Sequence, residues 1–134
     1  MITLSSARLD YVPPDSIDRV WHLVGPWIER VRRRNKERDW TEQDVKEAIA
    51  DHSAQLFLAV IDNYAKGFVL LKKLDRVMWI WASYSANGGA FVPLLDQAAR
   101  AAGCDRLSFS STRAGWRRNR MGFTPVATIY ERSL

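Results

Sequence analysis

Six residues, Ser85-Ala86-Asn87-Gly88-Gly89-Ala90, stand between an apolar run and an amphipathic one in this 134-residue chain. Their chemistry is that of the backbone. Two adjacent glycines let the chain turn tightly and let a ligand approach it closely. A helix starting just behind them presents amide N–H groups that have no intrahelical acceptor, at the positive end of its dipole. Such a turn reads either as a plain connection between strand and helix or as an anion site with Asn87, Gly88, Gly89 and Ala90 as donors. Side chains offer less. His22 falls opposite an apolar helical stripe and reads as a solvated residue rather than a base, and Cys104 reads as a small core residue rather than a nucleophile. One cysteine and two histidines leave no intramolecular disulfide and no metal site to expect.

The elements that must position this turn follow from periodicity. Residues 77–82, VMWIWA, are apolar throughout, with Trp79 and Trp81 on one face and Met78 and Ile80 on the other. They predict a central strand covered above and below. A helix over 91–103 follows, with Gly103 as its C-cap. Upstream, residues 2–11 predict an edge strand ended by Pro13-Pro14. Asp15 then suits an N-cap, with Asp18 as capping-box acid. Ile17, Val20, Trp21, Val24, Trp27, Ile28 and Val31 form one helical stripe, which Pro26 is expected to kink or split. Thr41 and Asp44 start a second helix with Val45, Ala48 and Ile49 inside. Strands are predicted over 55–61 and 67–74, with 62–66 as their hairpin connection. Residues 106–111 should form a strand parallel to 77–82, since a helix crossover joins them. A short basic helical turn over 113–121 and a last strand over 126–131 complete the order β-α-α-β-β-β-α-β-α-β. The expected class is α/β (α+β), a mixed central sheet with helices on both faces, in one domain spanning 1–134.

Composition bounds the rest. The chain is 47% hydrophobic and 26% charged, with no apolar run of membrane-spanning length and no signal-peptide pattern at Met1. A cytoplasmic protein without a membrane partner is expected. The net charge of +5 favours anionic partners. Arg30, Arg32, Arg33, Arg34, Lys36 and Arg38, with Arg113, Arg117, Arg118 and Arg120, make up ten of the twenty Lys and Arg. The first group reads either as a solvated helix face or as a surface for protein or nucleic acid. Trp40 and Trp116 lie in or beside these stretches, the pattern of exposed aromatics that stack on bases or on an adenine ring. Trp21, Trp27, Trp79 and Trp81 read as core.

Three segments resemble the GCN5-related N-acetyltransferase (GNAT) superfamily, and the resemblance covers nearly the whole chain. Residues 95–107, LDQAARAAGCDRL, look like the family's crossover helix running through a glycine into the fifth strand. Residues 121–126, MGFTPV, with Tyr130-Glu131-Arg132, look like its Gly-Phe turn and last strand. Residues 85–90 align with its acetyl-CoA loop, where Gly88 and Ala90 fit but Ser85 replaces Gln or Arg. The resemblance implies acetyl-CoA as co-substrate and acetyl transfer to an amine. It implies that the fourth and fifth strands splay, with the thioester beside Ala82, Ser83 and Tyr84 and opposite residues 108–111. The implied cofactor-binding residues are Ser83, Ser85, Asn87, Gly88, Gly89, Ala90 and Arg118.

The catalytic pattern departs from the family's. The fourth strand lacks the family's carboxylate base, and Arg118 stands where the family often has a tyrosine. Arg118 reads as a phosphate ligand or a solvated arginine. Tyr84 is left as the candidate acid, with half-buried packing as its other reading, and no base is assigned. A second functional class therefore stands beside the enzyme: a catalytically silent GNAT-fold protein, similar to phage-encoded virion or host-modulating components, binding protein or nucleic acid through residues 30–38.

Overall fold

The computed structural model describes residues 6–34, 39–85, 88–111, 121–127 and 129–134. Five strands form one mixed sheet in the order β1-β2-β3-β4-β5: β1 (Ala7–Val12), β2 (Gln55–Ile61), β3 (Tyr64–Leu74), β4 (Val77–Ser85) and β5 (Arg106–Ser108). The first four run antiparallel in sequence, and β5 lies parallel to β4. Helices α1 (Ile17–Arg34) and α2 (Glu42–Ala50) cover one face, and α3 (Val92–Ala101) covers the other.

The two cores follow from strand alternation. Leu56, Phe68, Leu70 and Ala82 face Val24, Ile28 and Val31 of α1 and Val45 and Ile49 of α2. Val69, Leu71 and Met78 face Leu95 and Ala99 of α3, with Cys104 in the same cluster. The middle strand is β3, and its Gly67, Phe68, Val69, Leu70 and Leu71 are all buried. The strand expected as central over 77–82 is internal and packed on both faces, but the middle position belongs to β3. β4 is next to the edge, and Trp79, Ile80 and Trp81 are only partly buried because β5 shields so little of it.

Several boundaries differ from expectation for local reasons. Helical winding begins in a 3-10 turn at Pro14–Ser16, with Ser16 N–H donating to Pro13 C=O at 2.9 Å, so Asp15 lies inside the first turn and is not the N-cap. Pro26 does not split α1. The carbonyl it leaves without a donor belongs to His22, and both residues are exposed, where water can satisfy that group. β3 starts at Tyr64 because Asp62 and Asn63 both adopt positive φ, 52° and 69°, which closes a two-residue hairpin instead of a five-residue connection. The capping box of α2 is present in full: Asp44 N–H donates to Thr41 Oγ1 at 3.2 Å and Thr41 N–H to Asp44 Oδ2 at 2.8 Å. The helix predicted over 91–103 ends at Ala101, and Gly103 at φ +81° follows its C-cap Ala102. Cys104 N–H then donates to Ala99 C=O at 2.9 Å, and the thiol side chain is buried.

The C-terminal expectations fail most. The strand predicted over 106–111 stops at Ser108, and no strand forms among the described residues after it. Val126 and Tyr130 of the predicted last strand are 88% and 90% exposed. A three-residue β5 offers too short a ladder to template another strand, and Pro125 has no N–H to give one. The helical turn expected over 113–121, with Trp116, lies outside the described residues except for Met121. Among the described residues, no helix is long and apolar enough to cross a membrane.

One glycine governs the geometry of β4. A Cβ built at Gly67 would lie 1.8 Å from the carbonyl oxygen of Tyr84 and 2.9 Å from Cα of Ser85. Any other residue must push β3 and β4 apart at the end of the hairpin. Gly67→Ala should therefore destabilise the fold by about 1–3 kcal/mol, the usual cost of overpacking. A denaturation midpoint equal to wild type would show that β4 is free to move.

Candidate functional site

β4 and β5 are hydrogen-bonded only from Val77 to Trp79 and from Arg106 to Ser108. Past that point the strands part. The outer edge of β4 from Ile80 onward, which a longer β5 would have covered, opens onto a cleft of about 290 Å³. Ser83, Tyr84 and Ser85 line one wall, Phe109, Ser110 and Ser111 the other, and Gly88, Phe91, Val92 and Leu95 close the end at the start of α3. Val31 and Arg34 border it on the α1 side.

A bulge in β4 decides which side chains reach it. Leu70 pairs with Ala82 and Leu71 with Ile80, so Trp81 is an extra residue in the ladder. The bulge resets the alternation: Trp81, Ala82 and Tyr84 all pack against the α1–α2 core, while Met78 and Ile80 pack against the α3 core. The Tyr84 ring stacks on Trp27 at a centroid distance of 5.8 Å, and Arg30 Cζ lies 6.0 Å from its centroid. Tyr84 is thus both packed and at the cleft, so the two readings of it are not exclusive.

The predicted binding residues are partly assembled. Ser83, Ser85 and Gly88 line the cleft together, and Gly89 and Ala90 stand exposed in the same helical turn, Gly88–Phe91, which runs directly into α3. Neither Gly88 nor Gly89 has a positive φ, so no left-handed turn is required of them. What Gly88 supplies is room: a Cβ there would meet nothing within 4 Å. Asn87 and Arg118 lie outside the described residues.

The basic run resolves into two kinds of arginine. Arg32 and Arg33 both bind the carboxylate of Glu29, at 2.8 and 3.1 Å. The hydrogen bond from Arg32 is the main reason that Glu29 is held below the usual carboxylate range. Arg30 and Arg34 instead turn toward Tyr84 and the cleft. Lys36 and Arg38 lie outside the described residues. Trp40 is a correction: it is buried against the α1–α2 core, edge-on to Trp81 at 5.4 Å, and cannot stack on a base. Trp21 donates its Nε1–H to Glu42, a contact allowed by Gly25, where a Cβ would sit 2.7 Å from that nitrogen.

Sequence reasoning missed Arg34 and Phe123 as cleft residues, whereas Phe109 falls within the 108–111 wall that the resemblance implied. Arg30 and Arg34 follow Trp27 at three and seven residues, a spacing that puts all three on one side of a helix. That signal was available. Nothing in the sequence marked Phe123 as a cleft residue; its ring meets that of Phe109 edge-on at 5.0 Å. No cluster of His, Cys, Asp or Glu fit to hold a metal occurs among the described residues.

No family model matches the chain, and no curated protein sequence matches it. Solved structures do match. A ribosomal-protein-alanine N-acetyltransferase from Brucella melitensis biovar Abortus 2308 aligns over 96% of this chain and 99% of its own, with TM-score 0.65 and 16% identity. An aminoglycoside acetyltransferase from an uncultured soil metagenomic sample, in complex with sisomicin, aligns over 96% of both chains with TM-score 0.65 and 9% identity. An integron cassette protein from the mobile metagenome of V. cholerae covers 96% of this chain and 93% of its own, with TM-score 0.60 and 17% identity. The chain has the fold of the GNAT acetyltransferases, with the parted strands and the helical turn in one continuous cleft.

The Glu29 cluster carries a pH signature. A carboxyl whose folded pKa is depressed stabilises the protein above its unfolded pKa and loses that contribution as pH falls through the folded value. Wild type should melt above Glu29→Gln at neutral pH, and the two melting curves should converge on acidification. A constant gap across the acid range would show that the ion pairs with Arg32 and Arg33 contribute nothing.

Proposed function

We propose that the chain binds acetyl-CoA in this cleft and transfers its acetyl group to an amine. One observation carries the reading: β4 and β5 part after Trp79 and Ser108, in the same cleft where the Gly88 turn begins. The unpaired edge of β4 offers N–H and C=O groups to an extended amide-bearing chain, which is how sheets commonly receive peptides. The pantetheine arm of coenzyme A is such a chain. At the cleft's end the Gly88 turn is exposed, with open space where a Cβ would stand, which leaves room for a pyrophosphate to approach its first amides. Ser85 and Asn87 would join them, with Gly89 and Ala90 in the same turn and Arg118 as a further phosphate ligand. The thioester would then lie between Ser83 and Tyr84 on one side and Ser110 on the other.

Amine attack on the thioester makes an oxyanion and releases a thiolate. Tyr84, whose side chain lines the cleft, would donate a proton to the departing thiolate. A second reading has one observation in its favour: no Asp, Glu or His is among the described residues lining the cleft. On that reading the protein binds the coenzyme and leaves it intact.

Acetyl-CoA at a hundredfold excess over its dissociation constant should stabilise the fold by about 2.7 kcal/mol. Gly88→Asp should abolish the shift without altering the melting temperature of the free protein, because a side chain fits there. An unchanged melting curve at saturating acetyl-CoA would remove this reading.

Turnover separates the two readings. Tyr84→Phe should lower the rate of acetyl transfer by roughly 10²–10⁴, with little change in acetyl-CoA affinity. A Phe variant as fast as wild type would leave Tyr84 a packing residue, and tight binding with no transfer to any amine would favour the silent protein.

A further inference from the structure

We propose that the α1 flank of the cleft is a subsite for an acceptor amine that also carries an anionic group, a carboxylate or a phosphate. The role as acceptor rests on the acetyl-transfer reading above; the anion preference rests on the residues themselves. Trp27, Arg30 and Arg34 share one side of α1, and all three run beside Tyr84 or the cleft it lines. Two guanidinium groups one helical turn apart therefore stand over the reacting end of β4.

Their charge is available. Arg32 and Arg33 are engaged by Glu29, whereas Arg30 and Arg34 form no ion pair among the described residues. Arg30 and Arg34 are exposed, and no Asp or Glu lines the cleft among the described residues. Glu29 lies beside Arg30 and Arg34 on the surface of α1, but its carboxylate is already held by Arg32 and Arg33, so a polyamine entering here would meet a net excess of positive charge. An amine bearing an anion would place that anion on the guanidinium groups, which bind carboxylate and phosphate through paired N–H donors. The stacked Trp27 and Tyr84 rings form the apolar floor between the anion and the thioester position.

The same geometry argues against an extended nucleic-acid track along α1. Among the described residues of the run, the Glu29 carboxylate takes up Arg32 and Arg33, while Arg30 lies over the Tyr84 ring and Arg34 lines the cleft.

Binding tests this without turnover. O-phosphoethanolamine, β-alanine and spermidine are titrated into the full chain, with and without coenzyme A, and followed by calorimetry. The first two should bind and spermidine should not, and their relative affinities identify phosphate or carboxylate as the preferred anion. Arg30→Gln combined with Arg34→Gln should weaken the anionic amines by about tenfold to a hundredfold, the worth of a hydrogen bond to a charged group. The melting temperature and the acetyl-CoA affinity of that variant should match wild type. The subsite is overturned if spermidine binds as well as the anionic amines, if neither anionic amine binds, or if the double variant binds them unchanged. It is equally overturned if the variant loses acetyl-CoA in step, since the arginines then hold the coenzyme, or if a single-stranded oligonucleotide binds more tightly than both amines. Arginine-dependent binding of an anionic amine by a chain that ignores acetyl-CoA would sink the acetyl-transfer reading and leave the anion site standing.

Discussion

Three rungs of parallel ladder, between Val77–Trp79 and Arg106–Ser108, are all that join β5 to the sheet. The cleft exists because they stop there. A β5 two or three residues longer in register would satisfy the outer edge of β4 and fill the opening with its own side chains. The shortness of the pairing also exposes the partly buried run from Trp79 to Trp81 and leaves residues 121–127 and 129–134 without a strand to join. One local termination thus sets the cleft, the character of β4 and the irregular end of the described chain.

Opposite pressure comes from inside the sheet. β3 and β4 are held closer at Gly67 than any side chain there would permit, and the bulge at Trp81 shifts the register a few residues earlier. Without the extra residue, Tyr84 and Trp81 would face opposite sides. With it, both meet the α1–α2 core, and Trp27 and Arg30 become neighbours of the cleft instead of the back of a helix. Loose pairing on one edge of β4 and tight pairing on the other give the strand its bent, open end.

Elements with strong local signals were legible in the residues. The Thr41–Asp44 capping box and the α1 stripe depend on neighbours in sequence, as do the runs that became β2 and β4, and each sits where its pattern placed it. Of the candidate site, neighbourhood was legible in the sequence: Ser83, Ser85 and Gly88 stand close along the chain and all three line the cleft. What could not be read depends on distant partners. The bulge at Trp81 is a relation between two strands, and unbroken apolar sequence hides a change of face. Trp40 follows an arginine-rich run, yet its partner Trp81 is forty-one residues away, and that contact turns an expected surface aromatic into core. The end of β5 was overestimated because Ser108 and Phe109 have strand-forming neighbours, while ladder length is set by how far β4 stays parallel.

The reverse turn after α3 has a chemical consequence. By carrying the chain sharply inward at Gly103, it buries the molecule's one sulfhydryl, Cys104, beneath the helix it has just ended. Thiol reagents can reach that sulfur only when the α3 layer lifts from the sheet. The cysteine is therefore a built-in reporter of that opening, silent toward oxidants and alkylating agents in the closed fold, and its labelling rate measures how often the layer over the cleft comes away.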